Sequence, residues 1–176
     1  MNLLLAFLVF IMPSISYSQA NVNKEVSNVN YASFIMYHRF GDSRFPSTNI
    51  KKEQFIEHIN ELLKPKYNVI SIEKALLAIN EIEPVNDRSV VITIDDAYSS
   101  VYKYAWPIFK KHNLPFTLFV STDVIDNKTP GYMNWEQIRT LRDHGDTIGS
   151  QTKSHPHMFK LTKEKIIELN YLTFED

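Results

Sequence analysis

The chain has 176 residues and a formal net charge of −1, with 20 acidic and 19 basic side chains. Because the two signs are interspersed, nothing in the sequence indicates binding to nucleic acid or to an anionic membrane surface. There is no cysteine, which excludes disulfides, a cysteine nucleophile and thiolate metal ligands. Carboxylates, histidines and hydroxyls are left to carry any chemistry.

Residues 1–18 are predicted to be a signal peptide. The apolar stretch from Leu3 to Met12 is shorter than the roughly 20 helical residues that span a bilayer. Pro13 ends it, and small residues lead to a cleavage site after Ser18. The prediction implies export to the periplasm or the extracellular space, with no membrane span left after cleavage. An apolar first helix of the folded domain and an uncleaved membrane anchor are the alternatives.

The remaining chain, about 155 residues, is long enough for one domain with a hydrophobic core. Residues 19–32 are predicted to be a polar leader, and residues 33–176 the domain. Tyr31 to Tyr37 is predicted to be a buried strand, followed by a loop that contains His38. Lys51 to Leu63 is predicted to be an amphipathic helix whose apolar face includes Leu63.

Strands and helices alternate along the rest of the chain. The further predicted strands are 68–71, 89–94, 116–120 and 147–149. The further predicted helices are 72–80, 99–112 with a bend or restart at Pro107, one from Asn134 to Gly145, and one from Thr162 to Leu172. Alternation of this kind is typical of parallel βα units, so the predicted fold class is α/β.

Polar side chains follow three of the predicted strands. Asp95 and Asp96 come directly after the apolar strand 89–94, Gln151 and His155 come after 147–149, and His38 comes after the first strand. Functional residues of parallel sheets and barrels gather at the carboxyl ends of strands. We therefore expect these side chains to lie at one rim.

Two segments carry most of the functional information, Val91-Ile92-Thr93-Ile94-Asp95-Asp96-Ala97 and Gly149-Ser150-Gln151-Thr152-Lys153-Ser154-His155-Pro156. Together they resemble the signature of the polysaccharide deacetylase family, also called the NodB homology domain or carbohydrate esterase family four. The first family motif usually reads T-F-D-D-G and here reads T-I-D-D-A. The second usually reads H-[ST]-x-x-H-P and here reads Q-T-K-S-H-P. The mismatch at Gln151 matters most, because the family places a metal-binding histidine there.

The resemblance implies an irregular (β/α) barrel, incomplete in this chain, with residues 33–176 as the N-terminal part of the family domain. It also implies a metal-dependent hydrolase that removes acetyl groups from an N-acetylated polysaccharide or oligosaccharide. It implies that Asp95 is the general base and that Asp96 and His155 bind zinc or a similar divalent ion. Gln151 takes the third ligand position, where its neutral amide oxygen predicts weak or absent zinc binding. His38 is a candidate substrate-binding residue, with a hydrogen bond at the barrel rim as the alternative.

A non-catalytic carbohydrate-binding member of the same family is the second hypothesis. Gln151 favours it, and so does the lack of recognisable Arg-containing, Trp-containing and Leu-x-His motifs, which the family carries late in the domain. The Leu-x-His motif would supply the general acid for the leaving amine. A cluster of aromatic residues is predicted either to stack on sugar or to pack against the sheet: Tyr98, Tyr102, Tyr104 and Trp106.

Overall fold

The computed structural model describes residues 27–171. The strands are β1 (Asn28–Val29), β2 (Ser33–Tyr37), β3 (Arg39–Phe40), β4 (Asn49–Ile50), β5 (Asn68–Ile70), β6 (Val85–Asn86), β7 (Ser89–Ile94), β8 (Thr117–Val120) and β9 (Thr147–Ser150). The helices are α1 (Lys52–Leu62), α2 (Ile72–Ile79), α3 (Trp106–His112), α4 (Thr122–Asp126), α5 (Trp135–His144) and α6 (Lys163–Tyr171). A π-helical turn, Val101–Ala105, precedes α3, and a 3₁₀ turn, Met158–Lys160, precedes α6.

Five strands form a parallel sheet with β7 at its centre. β2 pairs along one edge of β7, from Ser33 beside Val90 to Tyr37 beside Ile94. The opposite edge of β7 pairs with β5 near its start and with β8 near its end, and β9 pairs with β8. Within residues 27–171 the sheet is open, and the α/β class with parallel strands is confirmed.

The core lies mainly on one face of β7. All six of its residues are buried, as its unbroken apolar sequence predicts for a strand covered on both faces. Ile92 and Ile94 pack with apolar side chains of the helices on that face. The opposite face holds a smaller cluster of Ile70, Ala75 and Val91, which places α2 against it. The residues that α1, α3 and α5 bury in the main core are Phe55, Ile59, Leu62, Phe109, Ile138 and Leu141.

The prediction of a buried strand from Tyr31 to Tyr37 is wrong for most of its residues, since β2 begins at Ser33 and only Tyr37 is buried. Tyr31, ahead of the strand, is 59% exposed. Phe34 is 47% exposed and Met36 is 59% exposed. Both lie on the face of the sheet that holds Val91, since Phe34 pairs with Val91 and side chains of paired residues share a face. The small cluster covers that face only near Val91, and β2 is an edge strand, so both side chains reach solvent.

Other boundaries differ from expectation for local reasons. Leu63 is 41% exposed, because α1 ends at Leu62 and the next position turns away from the core. The helical segment restarts as expected at Pro107, which lies in the first turn of α3, where its missing N–H costs nothing. The preceding π-helical turn, the short α4, and β1 within the polar leader were not predicted.

The helix caps follow the sequence closely. Ser71 accepts a hydrogen bond from the Lys74 N–H, and Asn134 forms a reciprocal capping box at the start of α5. α5 ends at Gly145, whose φ of 101° is a left-handed conformation that glycine adopts without strain. Across residues 27–171, none of the helices has the length and apolar character needed to cross a membrane. The predicted signal peptide lies outside the described residues.

Candidate functional site

The three strand ends meet at one edge of the sheet, as predicted. The Asp95 N–H donates to the Tyr37 carbonyl at 2.9 Å, which continues the β2–β7 pairing and puts His38 beside Asp95. The Gln151 N–H donates to the Val120 carbonyl at 2.9 Å, which continues the β8–β9 pairing. Parallel pairing therefore brings the Asp95–Asp96 loop and the Gln151–His155 loop together.

The loop after β7 has an uncommon backbone. Asp96 has a φ of 71° and Ala97 a φ of 49°, so two successive non-glycine residues are left-handed. This conformation costs about 1–2 kcal/mol per residue. Ala97 is fully buried, and its carbonyl accepts a hydrogen bond from the Met133 N–H at 2.9 Å. The turn places Asp95 and Asp96, both half-buried, directly before the buried Ala97.

Gln151 contacts this turn directly. Its side-chain oxygen Oε1 accepts a hydrogen bond from the Asp96 N–H at 3.2 Å. The Gln151 backbone is held by β8 through the Val120 carbonyl and by Ser121, the residue that follows β8. The Ser121 hydroxyl donates to the Gln151 carbonyl at 3.3 Å. The Gln151 side-chain oxygen is thus hydrogen-bonded to the backbone of Asp96.

The loop that carries His155 is held by short-range hydrogen bonds. The Thr152 N–H donates to the Ser150 hydroxyl at 3.1 Å, and the His155 N–H donates to the Thr152 hydroxyl at 3.2 Å. Thr152 and His155 both have positive φ, at 65° and 49°. The imidazole of His155 is exposed at the rim.

A cavity of about 290 Å³ lies between the two loops. Asp96 and His155 line it, whereas Asp95, His38 and Gln151 do not. Its volume is at the small end of ligand pockets, about 300 Å³ and upward. The remaining lining residues are Tyr98, Ser121, Asp123, Val124, Tyr132 and Ser154. Two carboxylates, an imidazole, two phenols and two aliphatic hydroxyls surround one apolar side chain, and this lining suits a ligand with many polar groups.

Asp95 sits in an electrostatic environment unlike that of a surface carboxylate. Burial raises its pKa, and the Asp96 carboxylate raises it further. Positive charge on His38 or His155 opposes the rise. The pKa of Tyr98 is also raised, first by burial, then by its hydrogen bond with Tyr132 and by the Asp96 carboxylate. Tyr98 therefore stays a proton donor throughout the physiological range.

A stack of four side chains adjoins the cavity, and two of them, Tyr98 and Tyr132, line it. The Arg39 guanidinium lies 3.5 Å from the centroid of the Tyr98 ring and 4.1 Å from that of Phe45. The Tyr98 and Tyr132 rings are 4.7 Å apart, and the Tyr132 hydroxyl donates to that of Tyr98 at 3.5 Å. Arg39 also donates to the Thr48 hydroxyl at 2.5 Å. The stack links loops from three parts of the chain.

The aromatic residues predicted either to stack on sugar or to pack against the sheet do not all have the same role. Only Tyr98 reaches the cavity. Tyr102 stacks on Trp106 at 5.0 Å, and the Trp106 Nε1–H donates to Asp146 at 2.8 Å, as expected for a packed aromatic face. Asp123 and Tyr132 were not predicted as site residues, because Asp123 lies in the short α4, which was itself not predicted, and Tyr132 reaches the cavity through packing between loops.

Two residues at the rim have the chemistry of ligands for a divalent ion. Asp96 and His155 line the same cavity, and a carboxylate with an imidazole suits zinc or a similar ion. The Gln151 oxygen faces the Asp96 N–H instead. In the part of the chain that the structure describes, no three histidine or acidic side chains are grouped closely enough to hold an ion.

Comparison with known proteins identifies relatives for this arrangement. The family model for polysaccharide deacetylase matches residues 82–169, half of the chain. The protein YxkH of Bacillus subtilis strain 168, named as a polysaccharide deacetylase, is 28% identical over 131 residues, which cover 74% of this chain and 46% of YxkH.

Solved structures share the fold. IcaB from Ammonifex degensii is 25% identical with a TM-score of 0.64, over 70% of this chain and 53% of IcaB. The Streptococcus pyogenes deacetylase PplD is 19% identical with a TM-score of 0.67, over 79% of this chain and 62% of PplD. These likenesses confirm the expected fold type. The chain spans about half the length of the relatives that it matches.

Proposed function

This chain belongs to the polysaccharide deacetylase family, and from that membership we propose that it is a hydrolase that removes acetyl groups from an N-acetylated polysaccharide or oligosaccharide. The bonds cleaved are carbon–nitrogen bonds other than peptide bonds. One observation carries the proposal: Asp96 and His155, from different strand ends, line one cavity, and Asp95 lies close enough for the charges of both to act on it.

Asp95 is the proposed general base. The reaction needs a water molecule to lose a proton as it attacks an amide carbonyl, and a positioned carboxylate can take that proton. Burial and the neighbouring Asp96 carboxylate raise the pKa of Asp95, which makes it a stronger base than an exposed aspartate. His38 lies beside Asp95 and is proposed to orient it or to contact the sugar.

Asp96 and His155 are the proposed ligands of a divalent ion, zinc or a similar one. A bound ion would lower the pKa of water and polarise the amide carbonyl. Asp96 and His155 themselves contribute a defined position in the folded chain, since the backbone N–H of each donates to a side-chain oxygen. Gln151 is a weaker third candidate, because its oxygen already accepts the Asp96 N–H.

The cavity wall supports a carbohydrate as the ligand. Aromatic rings pack against the apolar faces of sugars, and the Tyr132 ring lines the cavity and packs on the Tyr98 ring. Asp123 and Ser154 can accept or donate hydrogen bonds to ring hydroxyls. Asp123 is 3.9 Å from the Lys153 ammonium, too far for a short hydrogen bond, so its oxygens keep acceptor capacity.

The test is acetate release from N-acetylglucosamine oligomers with zinc supplied. We expect slow release, because no second acid is assigned among residues 27–171 to protonate the leaving amine, so the proton must return from Asp95 or come from water. Asp95→Asn should lower the rate by about 10²–10⁴-fold. Release that is unchanged in Asp95→Asn, or that is no faster than the background without protein, would reject the proposal.

A second candidate is a carbohydrate-binding protein without turnover. The Gln151–Asp96 hydrogen bond favours this second function, because the bond occupies a side-chain oxygen that a three-ligand metal centre would need. Retained oligomer binding with no acetate release from the wild-type chain would select this function. In either case the predicted signal peptide supports export to the periplasm or the extracellular space as the proposed location.

A further inference from the structure

Two departures from the family motifs meet in the structure. The first motif has alanine, Ala97, where the family usually has glycine, and the second has Gln151 where the family usually has histidine. These positions are 54 residues apart in sequence, from 97 to 151. They are adjacent in space, since the Gln151 Oε1 accepts the N–H of Asp96, the residue before Ala97.

Ala97 is a poor residue for the conformation it holds. Its φ of 49° is left-handed, which glycine adopts freely and alanine only with steric strain. Asp96 before it is also left-handed, at 71°. Ala97 is fully buried, so the surrounding core restricts the backbone movement that would relieve the strain. The turn that presents Asp95 and Asp96 therefore needs support from outside itself.

Gln151 is in a position to give that support. Both polar groups of its backbone are hydrogen-bonded. The Gln151 N–H donates to the Val120 carbonyl, and the Gln151 carbonyl accepts from the Ser121 hydroxyl. The side chain reaches from this anchored backbone to the strained turn. Its oxygen satisfies the Asp96 N–H, which would otherwise be a partly buried donor that destabilises the turn.

We infer that Gln151 is a positioning residue that compensates for Ala97. It holds the Asp95–Asp96 turn by accepting the Asp96 N–H, in place of the ligand role that the family histidine has. The two positions are thus coupled. Replacing Gln151 alone leaves the strained turn without support, and replacing Ala97 alone removes the strain that the Gln151 hydrogen bond offsets. The inference concerns the turn and its stability, and it stands whether or not the proposed deacetylase activity is found.

A double-mutant cycle on the full chain tests the coupling. Gln151→Met removes the acceptor and keeps the side-chain length, and Ala97→Gly removes the strain. In urea unfolding, Gln151→Met should lower the folding equilibrium constant by about tenfold with Ala97 present, and by only about two- to threefold with Gly at 97. The same fold-change in both backgrounds would overturn the inference.

Gln137 provides a matched control. Its Oε1 accepts the Asn134 N–H at 3.1 Å at the start of α5, the same bond type at a distant place. Gln137→Met should have the same effect with either residue at 97, and a dependence on residue 97 would count against a specific coupling. Should Gln151→Met fail to fold, Gln151→Glu keeps an acceptor oxygen and must fold with Ala97. Failure of Gln151→Glu as well would also reject the inference.

A metal titration separates positioning from a purely structural role. Gln151→His supplies the family imidazole but loses the amide acceptor, so it should bind Zn²⁺ weakly unless the turn is relieved. The Ala97→Gly, Gln151→His double variant should bind Zn²⁺ at least about tenfold more tightly than Gln151→His alone. Equal affinity of the two variants would show that Ala97 does not influence the position of Asp96.

Discussion

Thr117 of β8 and Thr147 of β9 are direct partners in the parallel sheet, yet their hydroxyls are in opposite situations. The Thr147 hydroxyl donates to the Glu73 carboxylate of α2 at 3.0 Å. The Thr117 Oγ1 is buried and has no hydrogen-bond partner among the described residues. Two neighbouring residues of the same type thus make opposite contributions to stability.

This contrast predicts mutations of opposite sign. Thr117→Val replaces an unsatisfied hydroxyl by a methyl group of the same shape, and should raise the free energy of unfolding by about 0.5–1 kcal/mol. Thr147→Val removes a hydrogen bond and should lower it by about 0.5–1.5 kcal/mol. Urea denaturation of both variants checks the pair. A loss of stability in Thr117→Val would indicate that its hydroxyl is satisfied, for instance by water.

Asp95 and Asp96 are expected to separate into two roles. Asp96→Asn should weaken Zn²⁺ binding by at least about tenfold, because Asp96 lines the cavity with His155. Asp95→Asn should leave Zn²⁺ affinity within about twofold, since Asp95 does not line that cavity. Calorimetric titration of each variant measures this. Loss of Zn²⁺ in Asp95→Asn with retention in Asp96→Asn would reverse the assignment.

Tyr132 is expected to matter for oligosaccharide binding through its ring. Tyr132→Ala should weaken binding of N-acetylglucosamine oligomers by about three- to tenfold, whereas Tyr132→Phe, which keeps the ring, should bind within about twofold of wild type. Tyr102→Ala is the control, because Tyr102 stacks on Trp106 outside the cavity. Equal losses in Tyr132→Ala and Tyr102→Ala would mean that general destabilisation, and not stacking on sugar, is responsible.

Asp146 predicts a pH dependence of stability. Burial raises its pKa above 3.8, although the Trp106 hydrogen bond and the charge of His144 oppose the rise. The folded chain therefore binds this proton more tightly than the unfolded chain, and ionisation costs stability as pH rises from 3.8 through the folded-state pKa. Asp146→Asn keeps an acceptor for Trp106 and removes this cost.

The advantage of Asp146→Asn over wild type should thus grow as pH rises through the acidic range and become constant at neutral pH. Urea unfolding at a series of pH values measures it. The series is repeated with His144→Gln added to wild type and to Asp146→Asn, which removes the neighbouring titrating group. An advantage that is constant with pH, or that shrinks as pH rises, would contradict a raised pKa.

Much of the fold and the rim could be predicted because local sequence determines them. The apolar run of β7 indicates a strand covered on both faces, and Ser71, Asn134 and Gly145 mark helix ends through their own side chains and backbone preferences. The order of strands and helices then places Asp95 and His155 at one edge. Each of these inferences needs only a few adjacent residues.

What was missed depends on contacts between distant segments. The stack of Phe45, Arg39, Tyr98 and Tyr132 joins loops whose conformations no periodic pattern specifies. The Gln151–Asp96 hydrogen bond spans 55 residues and turns an expected ligand into a backbone acceptor. The exposure of Phe34 and Met36 depends on how much of one sheet face is covered, which the sequence of β2 alone does not state.

The central position of β7 has a consequence for the order in which this chain acquires structure. Its partners β2, β5 and β8 come from both sides of it in sequence, and it shares both of its edges. A strand with that many partners cannot separate from one of them without loosening the packing of the others. The slowest-exchanging amide protons should therefore belong to β7, and the late-folding, easily opened parts should be the rim loops that carry His155 and Tyr132.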